Sequence, residues 1–274
     1  MDAPTKLAEG GHEKFPEGLV LQRVGGVLNL SIDLPDHMNR LLPEVLQRLG
    51  LIAAALRDDA ETQVLVISGA GDEYFSMGIM NPAIRASYSK EQIIRLVRMA
   101  NRTFDAIEAL PQIVIAAING KVLAGAVELC LACDIRYAAA HATLCMPEAQ
   151  WGGFPGAGAP VRLPQIVGRA RALELICTAR EIDAAAMRDY GLVQAVYPAA
   201  SMRESVAATA ARIAANGPLA TRGAKRIINT RLAPGFQPAR ELADSLRHAL
   251  EWSHDVDEGH AAHRENRNAK FLGR

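Results

Sequence analysis

Excess charge of either sign is missing from this 274-residue chain, in which 30 Lys and Arg side chains balance 30 Asp and Glu side chains. A neutral sequence has no overall attraction to nucleic acid or to an anionic membrane surface, so neither is expected as a partner. Any anionic ligand must therefore be held by local groups. Half of the residues are apolar, which is enough for a large core in one big domain, with or without an appendage.

Cysteine is also scarce. The sequence has four, Cys130, Cys133, Cys145 and Cys177, all in apolar surroundings, and this pattern does not suggest a disulfide framework. Cys130 and Cys133 form a C-x-x-C element, but no second pair or His cluster completes a zinc site. We therefore expect four reduced core cysteines and no metal site.

No apolar run is long enough to suggest a membrane helix. The longest apolar region covers residues 113–133 and is interrupted at Asn119, Gly120, Lys121, Gly125 and Glu128. This pattern fits a strand, a loop and a buried helix better than a membrane span. The start, "MDAPTKLAEGGHEKFPEG", has acids before any apolar stretch, unlike a secretory signal or a transit peptide. These features predict a cytoplasmic protein.

Residue periodicity predicts an α/β chain. Residues 19–33 alternate around Gly25-Gly26, which indicates a hairpin, and apolar residues at helical spacing follow Pro43. The apolar runs "VLVISG" and "IVIAAI" predict buried strands, and a capping box of Ser89 and Gln92 opens a helix between them. Further along we predict a strand at 135–138, helices at 161–178, 200–216 and 236–254, and a short helix capped by Asp183 and closed by Gly191. The last quarter is thus a helical appendage.

Glu128 lies in an apolar stretch, "LAGAVELCLACD", where an unpaired charge is costly to bury. An ion pair with an Arg or Lys elsewhere is one explanation. The other is a proton-handling carboxyl whose pKa is raised by its apolar setting. The spacing alone leaves both open.

Two neighbouring features give Glu128 a chemical context. Glu148 lies in "MPEAQWGGFPGAG", whose glycines indicate a tight turn or a backbone held close to a ligand. Gly125 precedes the helix of Glu128, where free N–H groups can stabilise a developing oxyanion. Two acids and such donors suit proton transfer or water addition beside a carbonyl. The absence of a G-x-S-x-G element disfavours a Ser-His-Asp triad.

The segment "AAINGKVLAGAVELCLACDIRYAAAHATLCMPEAQWGGFPGAGAPVRLPQIVG" resembles the central signature of the enoyl-CoA hydratase/isomerase, or crotonase, superfamily. The resemblance continues upstream through "MNRL" and "VLVISGAGDEYFSMGI" and downstream through "TAREIDAAAMRDYGLVQAVYP" and "EGHAAHRENRNAKFLGR". It implies an α/β fold, a crotonase-like spiral of β-β-α repeats in residues 15–200, with two roughly perpendicular sheets. A helical region in residues 201–274 would then build a homotrimer or a hexamer.

The resemblance also implies a chemistry. The substrate would be an acyl-CoA thioester, with coenzyme A as part of the substrate and no other cofactor. Glu128 and Glu148 would be the catalytic pair that adds water across the 2,3 double bond, and the backbone N–H groups of Ile79 and Gly125 would form the oxyanion hole. Isomerisation, thioester hydrolysis and C–C cleavage remain alternatives within the superfamily, and a non-catalytic acyl-CoA binder is an alternative outside catalysis.

Matching positions also suggest further contacts. The predicted substrate-binding residues are Asn39, Arg40, Met77, Gly78, Met80, Trp151, Pro155 and Gly156, and the candidates for the CoA phosphates are Lys225, Arg226 and Lys270. Trp151 would either wall the acyl chain or pack the turn.

The sequence departs from the superfamily pattern at several of these sites. Met77 and Met80 replace the usual Ala and Asp, and Arg40 replaces a usual Ala, so the acyl pocket and nucleotide contacts are expected to differ. Ala124, Ala126 and Ala159 replace common glycines. These changes are tolerable at negative φ and costly at positive φ.

Overall fold

The computed structural model describes residues 11–232 and 236–270, and within them the chain is an α/β fold with two sheets. The strands are β1 His12–Phe15, β2 Leu19–Val24, β3 Val27–Ile32, β4 Val64–Gly69, β5 Tyr74–Ser76, β6 Ile113–Ile118, β7 Lys121–Leu123, β8 Ile135–Ala139, β9 Thr143–Cys145, β10 Ile182–Asp183 and β11 Ala195–Tyr197. The strand runs predicted around Gly25-Gly26 and at 64–69, 113–118 and 135–138 are confirmed.

The larger sheet has seven strands in the order β1-β2-β3-β4-β6-β8-β11. β2 and β3 form the predicted antiparallel hairpin, whose turn contains Gly25 at a φ of 55°. β3, β4, β6 and β8 then pair in parallel. The near-continuous apolar runs of β4 and β6 follow from burial on both faces of a parallel sheet.

The smaller sheet has the order β10-β9-β7-β5 and was not predicted strand by strand. Its strands have only two or three residues each, too few to show alternation. The smaller sheet nevertheless positions the candidate site, because β7 leads directly into the helix of Glu128 and β9 into the turn of Glu148.

The helices are α1 Pro43–Arg57, α2 Pro82–Arg85, α3 Lys90–Glu108, α4 Gly125–Ala132, α5 Ala159–Val167, α6 Arg169–Thr178, α7 Ala184–Asp189, α8 Ala199–Ala214, α9 Pro218–Leu232, α10 Phe236–Glu251 and α11 His254–Arg264. The capping box of Ser89 and Gln92 opens α3, and Asp183 caps α7, as predicted. The single helix predicted over 161–178 is wrong: Gly168, at a φ of 81°, separates α5 from α6. α9 and α11 were not predicted.

The core lies between the seven-stranded sheet and the helices packed on it, with Phe75 and Phe104 among its largest fully buried side chains. Three of the four cysteines are buried as predicted, whereas Cys177 is exposed, which corrects its assignment to the core. Within the described residues, no group of His, Cys, Asp and Glu could hold a metal ion. No helix in the same ranges is long and apolar enough to cross a membrane.

Candidate active site

A pocket of about 80 Å³ brings the two predicted acids together, because Glu128 and Glu148 both line it. Glu128 lies in the first turn of α4, and Glu148 lies in the 3₁₀ turn Pro147–Trp151 that follows β9. Met80 and Val97 add apolar surface to the same pocket. The two carboxyl groups, 20 residues apart in sequence, therefore face one small and mostly apolar space.

Glu128 is buried, and its Oε1 accepts hydrogen bonds from the backbone nitrogens of Ala157 at 2.7 Å and Ala159 at 2.9 Å. Among the described side chains, no Arg or Lys forms an ion pair with it. Burial raises the pKa of Glu128, and the two backbone donors and the charges of Arg162 and Arg240 oppose this rise. Of the two explanations that the sequence left open, the structure supports the apolar setting over the ion pair.

Glu148 has a different environment. Its Oε2 is buried, with no hydrogen-bond partner among the residues that the structure describes. Burial raises the pKa of Glu148, and the nearby negative charge of Glu128 raises it further. Such a carboxyl holds its proton closer to neutral pH than a solvated glutamate does, which suits an acid or base in proton transfer.

The two predicted oxyanion-hole positions also meet at this pocket. A Cβ added at Gly125 would lie 2.7 Å from Cδ1 of Ile79, and a Cβ added at Gly78 would lie 3.1 Å from the nitrogen of Gly125. Neither Ile79 nor Gly125 donates a backbone hydrogen bond to any described residue. For Gly125 the reason is its place at the start of α4, where the first N–H groups have no acceptor within the helix.

The alanines that replace common glycines have different local geometries. Ala124, just before α4, has a φ of 52° and a ψ of −128°, a region that side chains other than glycine's rarely occupy. Ala126 lies within α4 and Ala159 begins α5, both without positive φ. Of these three alanines, Ala124 alone therefore has a strained backbone.

The other predicted substrate contacts divide into two groups. Met80, Trp151 and Gly156 line the pocket. Trp151 also packs its ring 5.9 Å from that of His263, and its contact with the acyl chain stays a prediction. Pro155 is buried next to Gly156 in the chain and is not part of the lining.

The remaining predicted contacts brace the loop that leads to Ile79. Asn39 is buried, and its Nδ2 donates to the carbonyls of Ala70 and Tyr74, each at 2.9 Å. Arg40 Nη1 donates to the carbonyl of Met77 at 2.9 Å. Gly78, at a φ of 75°, completes the turn before Ile79. Direct substrate contacts from Asn39, Arg40, Met77 and Gly78 stay predictions.

Comparisons with known proteins identify the family of the chain. The model of the Enoyl-CoA hydratase/isomerase family matches residues 22–274. The chain belongs to the enoyl-CoA hydratase/isomerase family.

Individual members of the family are similar to this chain in sequence and in fold. A crotonyl-CoA hydratase from Syntrophomonas wolfei is 31% identical over 258 residues, 94% of this chain and 99% of that protein. A crystal structure of an enoyl-CoA hydratase from Bacillus anthracis is 35% identical with a TM-score of 0.77, covering 94% and 100% of the two chains. A carnitinyl-CoA hydratase from Mycobacterium avium is 29% identical with a TM-score of 0.84, covering 95% and 100%.

Several pocket residues of this family member were missed by sequence reasoning. Arg85, Arg247, Val256 and His260 line the pocket but come from α2, α10 and α11. They lie far from the central segment in sequence, and no local spacing connects them with it. The one available signal was the density of Arg and His in the C-terminal helices.

The candidates for the CoA phosphates also differ in their surroundings. Lys225 is buried, and its Nζ lies 2.7 Å from Asp134 Oδ2 and 2.9 Å from the carbonyl of Gln112. This interior ion pair was not expected, and it leaves Arg226 and Lys270, both exposed, as the candidates that face solvent.

Proposed function

We propose that the protein is an enoyl-CoA hydratase that adds water across the 2,3 double bond of an acyl-CoA thioester. The observation that carries the proposal is the convergence of Glu128, Glu148 and the backbone N–H groups of Ile79 and Gly125 on one pocket. Two carboxyl groups and two free donors are the groups that water addition next to a thioester carbonyl requires. Coenzyme A enters as part of the substrate, and the proposal includes no other cofactor.

In the proposed reaction the N–H groups of Ile79 and Gly125 donate to the thioester oxygen. A water held by Glu128 and Glu148 forms its O–C3 bond while the π electrons of the double bond move onto the thioester oxygen as an enolate. A proton of that water passes through Glu148 to C2, so that H and OH are added in balance. Loss of a single oxyanion-hole donor typically costs about 3–4 kcal/mol of transition-state stabilisation.

The different surroundings of the two acids support separate roles. Glu128 has two backbone donors for its Oε1, which favour its ionised form. Glu148 has a buried Oε2 without a partner among the described groups, which favours its protonated form. We therefore assign water orientation mainly to Glu128 and proton exchange at C2 to Glu148.

Assembly through residues 201–274 is part of the same proposal. α9 exposes 87% of Leu219 and 72% of Ile227, an apolar surface suited to contact with another copy. A homotrimer or hexamer would cover it, and light scattering on the purified protein measures which forms. A cytoplasmic location stays a prediction from the sequence.

The proposed activity is tested by hydration of trans-2-enoyl-CoA substrates of increasing chain length, followed by loss of the conjugated enoyl absorbance. We expect turnover by the wild type and a decrease of about 10²- to 10⁴-fold in kcat for Glu128→Gln and for Glu148→Gln. Solvent deuterium at C2 without net hydration would show an isomerase instead. Equal inactivity of all three proteins with retained CoA binding would contradict the proposal.

A further inference from the structure

Three basic side chains from separate helices meet at the pocket that Glu128 and Glu148 line. Arg85 lies at the end of α2, Arg247 in α10 and His260 in α11, and all three contribute to the pocket wall. Arg85 and His260 each expose only 8% of their surface. A pocket for a purely hydrocarbon acyl chain needs no such groups, because burying a charge is costly.

One buried acid partly balances the two arginines. Glu251, which is fully buried, forms an ion pair with Arg85 through Oε1 and with Arg247 Nη2 through Oε2, the latter at 2.8 Å. Two guanidinium groups therefore share one buried carboxylate, and the other acids of the same pocket are Glu128 and Glu148. Asp257 and Arg264 also act on the cluster electrostatically, with opposite signs.

The hydrogen-bonding capacity of the cluster is incompletely used. Arg247 Nη1, Arg85 Nε and His260 Nδ1 are all buried, and none has a hydrogen-bond partner among the residues that the structure describes. Arginine donors in this state lower stability unless a ligand accepts their hydrogen bonds. Burial and the neighbouring arginines lower the pKa of His260 to about 3, so its ring is neutral and one nitrogen can donate.

We propose that this cluster binds a carboxylate at the far end of the acyl group, so that the preferred substrate is a short 2-enoyl-CoA carrying a terminal acid. The proposal rests on the proposed function, since it places the double bond between Glu128 and Glu148. A carboxylate is planar and accepts from two donors at once, which matches an arginine beside an imidazole.

The position of Arg247 makes it the central residue of this subsite. A Cβ added at Gly156 would lie 3.1 Å from Cδ and Nε of Arg247, so the guanidinium stem packs directly against the loop that carries Glu148. Its charge acts on Glu148. Arg247 therefore reaches the pocket beside the reacting groups, so a carboxylate that meets it lies only a short chain away from the double bond.

The test compares two substrates of the same shape. Glutaconyl-CoA carries a terminal carboxylate, and 5-methylhex-2-enoyl-CoA replaces it with a neutral isopropyl group. We expect kcat/KM of the wild type to be at least about tenfold higher for glutaconyl-CoA, in line with a charge-assisted hydrogen bond. Arg247→Met should reduce this ratio about tenfold or more, whereas a purely structural role would lower both values together.

Matched variants keep the comparison interpretable. Arg188→Met removes the same charge from an exposed position on α7 outside the pocket, and it should leave the ratio within about twofold, because exposed charges are well screened. Should Arg247→Met fold poorly, Arg247→Lys retains a charge for Glu251 and still loses the guanidinium fork.

Calorimetry with the saturated pair, glutaryl-CoA and 5-methylhexanoyl-CoA, measures binding at the subsite without catalysis. If the wild type hydrates the neutral substrate equally well or better, the carboxylate subsite is wrong and the hydratase proposal stands. If the wild type hydrates neither of these substrates nor any member of the chain-length series, the hydratase proposal fails, and the binding measurement then decides on the subsite. Glutaryl-CoA bound at least about tenfold tighter would then support the subsite, and equal affinities would overturn it.

Discussion

The backbone nitrogen of Ala157 lies 2.7 Å from Oε1 of Glu128 and donates a hydrogen bond to it. The donor belongs to the glycine-rich loop after Glu148, and the acceptor belongs to α4, so this bond fixes the two halves of the candidate site to one another. Ala159, at the start of α5, adds a second bond to the same oxygen. No Arg or Lys of the described residues forms an ion pair with this carboxylate, which is held by the positive end of a helix and a neighbouring N–H. The charges of Arg162 and Arg240 act on it without an ion pair.

Glu148→Gln should stabilise the fold at high pH relative to low pH. The folded state raises the pKa of Glu148 above its ordinary value of 4.5, so the folded protein binds a proton that the unfolded chain has released. In the wild type, the protonated carboxyl of Glu148 stabilises the fold fully at pH values below the unfolded pKa. This contribution is lost as the pH rises through the folded pKa. Glutamine does not ionise and escapes this loss.

The difference in unfolding free energy, variant minus wild type, should therefore be more positive at about pH 9 than at about pH 5, by about 1–3 kcal/mol. Urea denaturation at both pH values measures it. Glu204→Gln, at an exposed position on α8, is the control, and its difference in unfolding free energy from the wild type should be the same at both pH values. A constant difference for Glu148→Gln would contradict its burial-raised pKa.

Ala124→Gly and Ala126→Gly should change stability in opposite directions. Ala124 has a φ of 52° and a ψ of −128°, where glycine alone is unstrained. Glycine removes this strain but increases the entropy of the unfolded chain, so Ala124→Gly should stabilise the protein by a net amount of about 1 kcal/mol. Ala126 is helical, and glycine there should destabilise by about 0.5–1 kcal/mol. Urea denaturation of both variants checks the pair, and destabilisation by Ala124→Gly would show that its backbone is not strained.

The contrast between these two alanines shows what the sequence was able to predict. Long strands, α4 and the succession of Glu128, Gly125 and Glu148 were predictable, because each depends on residues that are close in the chain. The sign of φ at Ala124 was not, since it depends on the close approach of the loop at Gly78, whose added Cβ would lie 3.2 Å from that of Ala124.

Long-range contacts explain the other misses. Arg85 and Glu251 form an ion pair across a separation of 166 residues, and no periodicity encodes such a pairing. The helix α9 was missed because its exposed Leu219 and Ile227 do not mark a buried face. The pocket wall supplied by α10 and α11 therefore became visible only once the C-terminal helices were placed against the central segment.

Gly259→Ala should displace α11 from the pocket. A Cβ at Gly259 would overlap the carbonyl group of Trp151 and lie 2.7 Å from the nitrogen of Gly152, so the helix must shift. Overpacking of this kind typically costs about 1–3 kcal/mol. Because Val256 and His260 of the same helix line the pocket, hydration activity should fall together with stability.

Gly217→Ala is the control for Gly259→Ala. Gly217 lies just before α9 without a positive φ, and a Cβ there would meet nothing within 4 Å. Alanine should change stability by less than about 1 kcal/mol and leave activity unchanged. Thermal unfolding with parallel hydration assays measures both, and an equal response of the two variants would refute a specific contact between α11 and the turn of Trp151.

Gly158→Ala should impair catalysis as well as stability. Gly158 has a φ of 122°, and an added Cβ would overlap Nη1 of Arg162. Arg162 has little freedom to yield, because its guanidinium is bound by Asp105 and Glu108. The backbone between Ala157 and Ala159 must therefore move, and both donors to Glu128 move with it.

Displacement of about 1 Å at such a site can reduce kcat about 10²-fold. Gly168→Ala provides the comparison, because Gly168 also has a positive φ, 81°, but a Cβ there would meet nothing within 4 Å. It should cost about 1–3 kcal/mol of stability while kcat remains within about twofold. Steady-state hydration kinetics beside urea denaturation separate the two effects. If Gly158→Ala retained wild-type kcat, the backbone donors of Ala157 and Ala159 would not be needed to position Glu128.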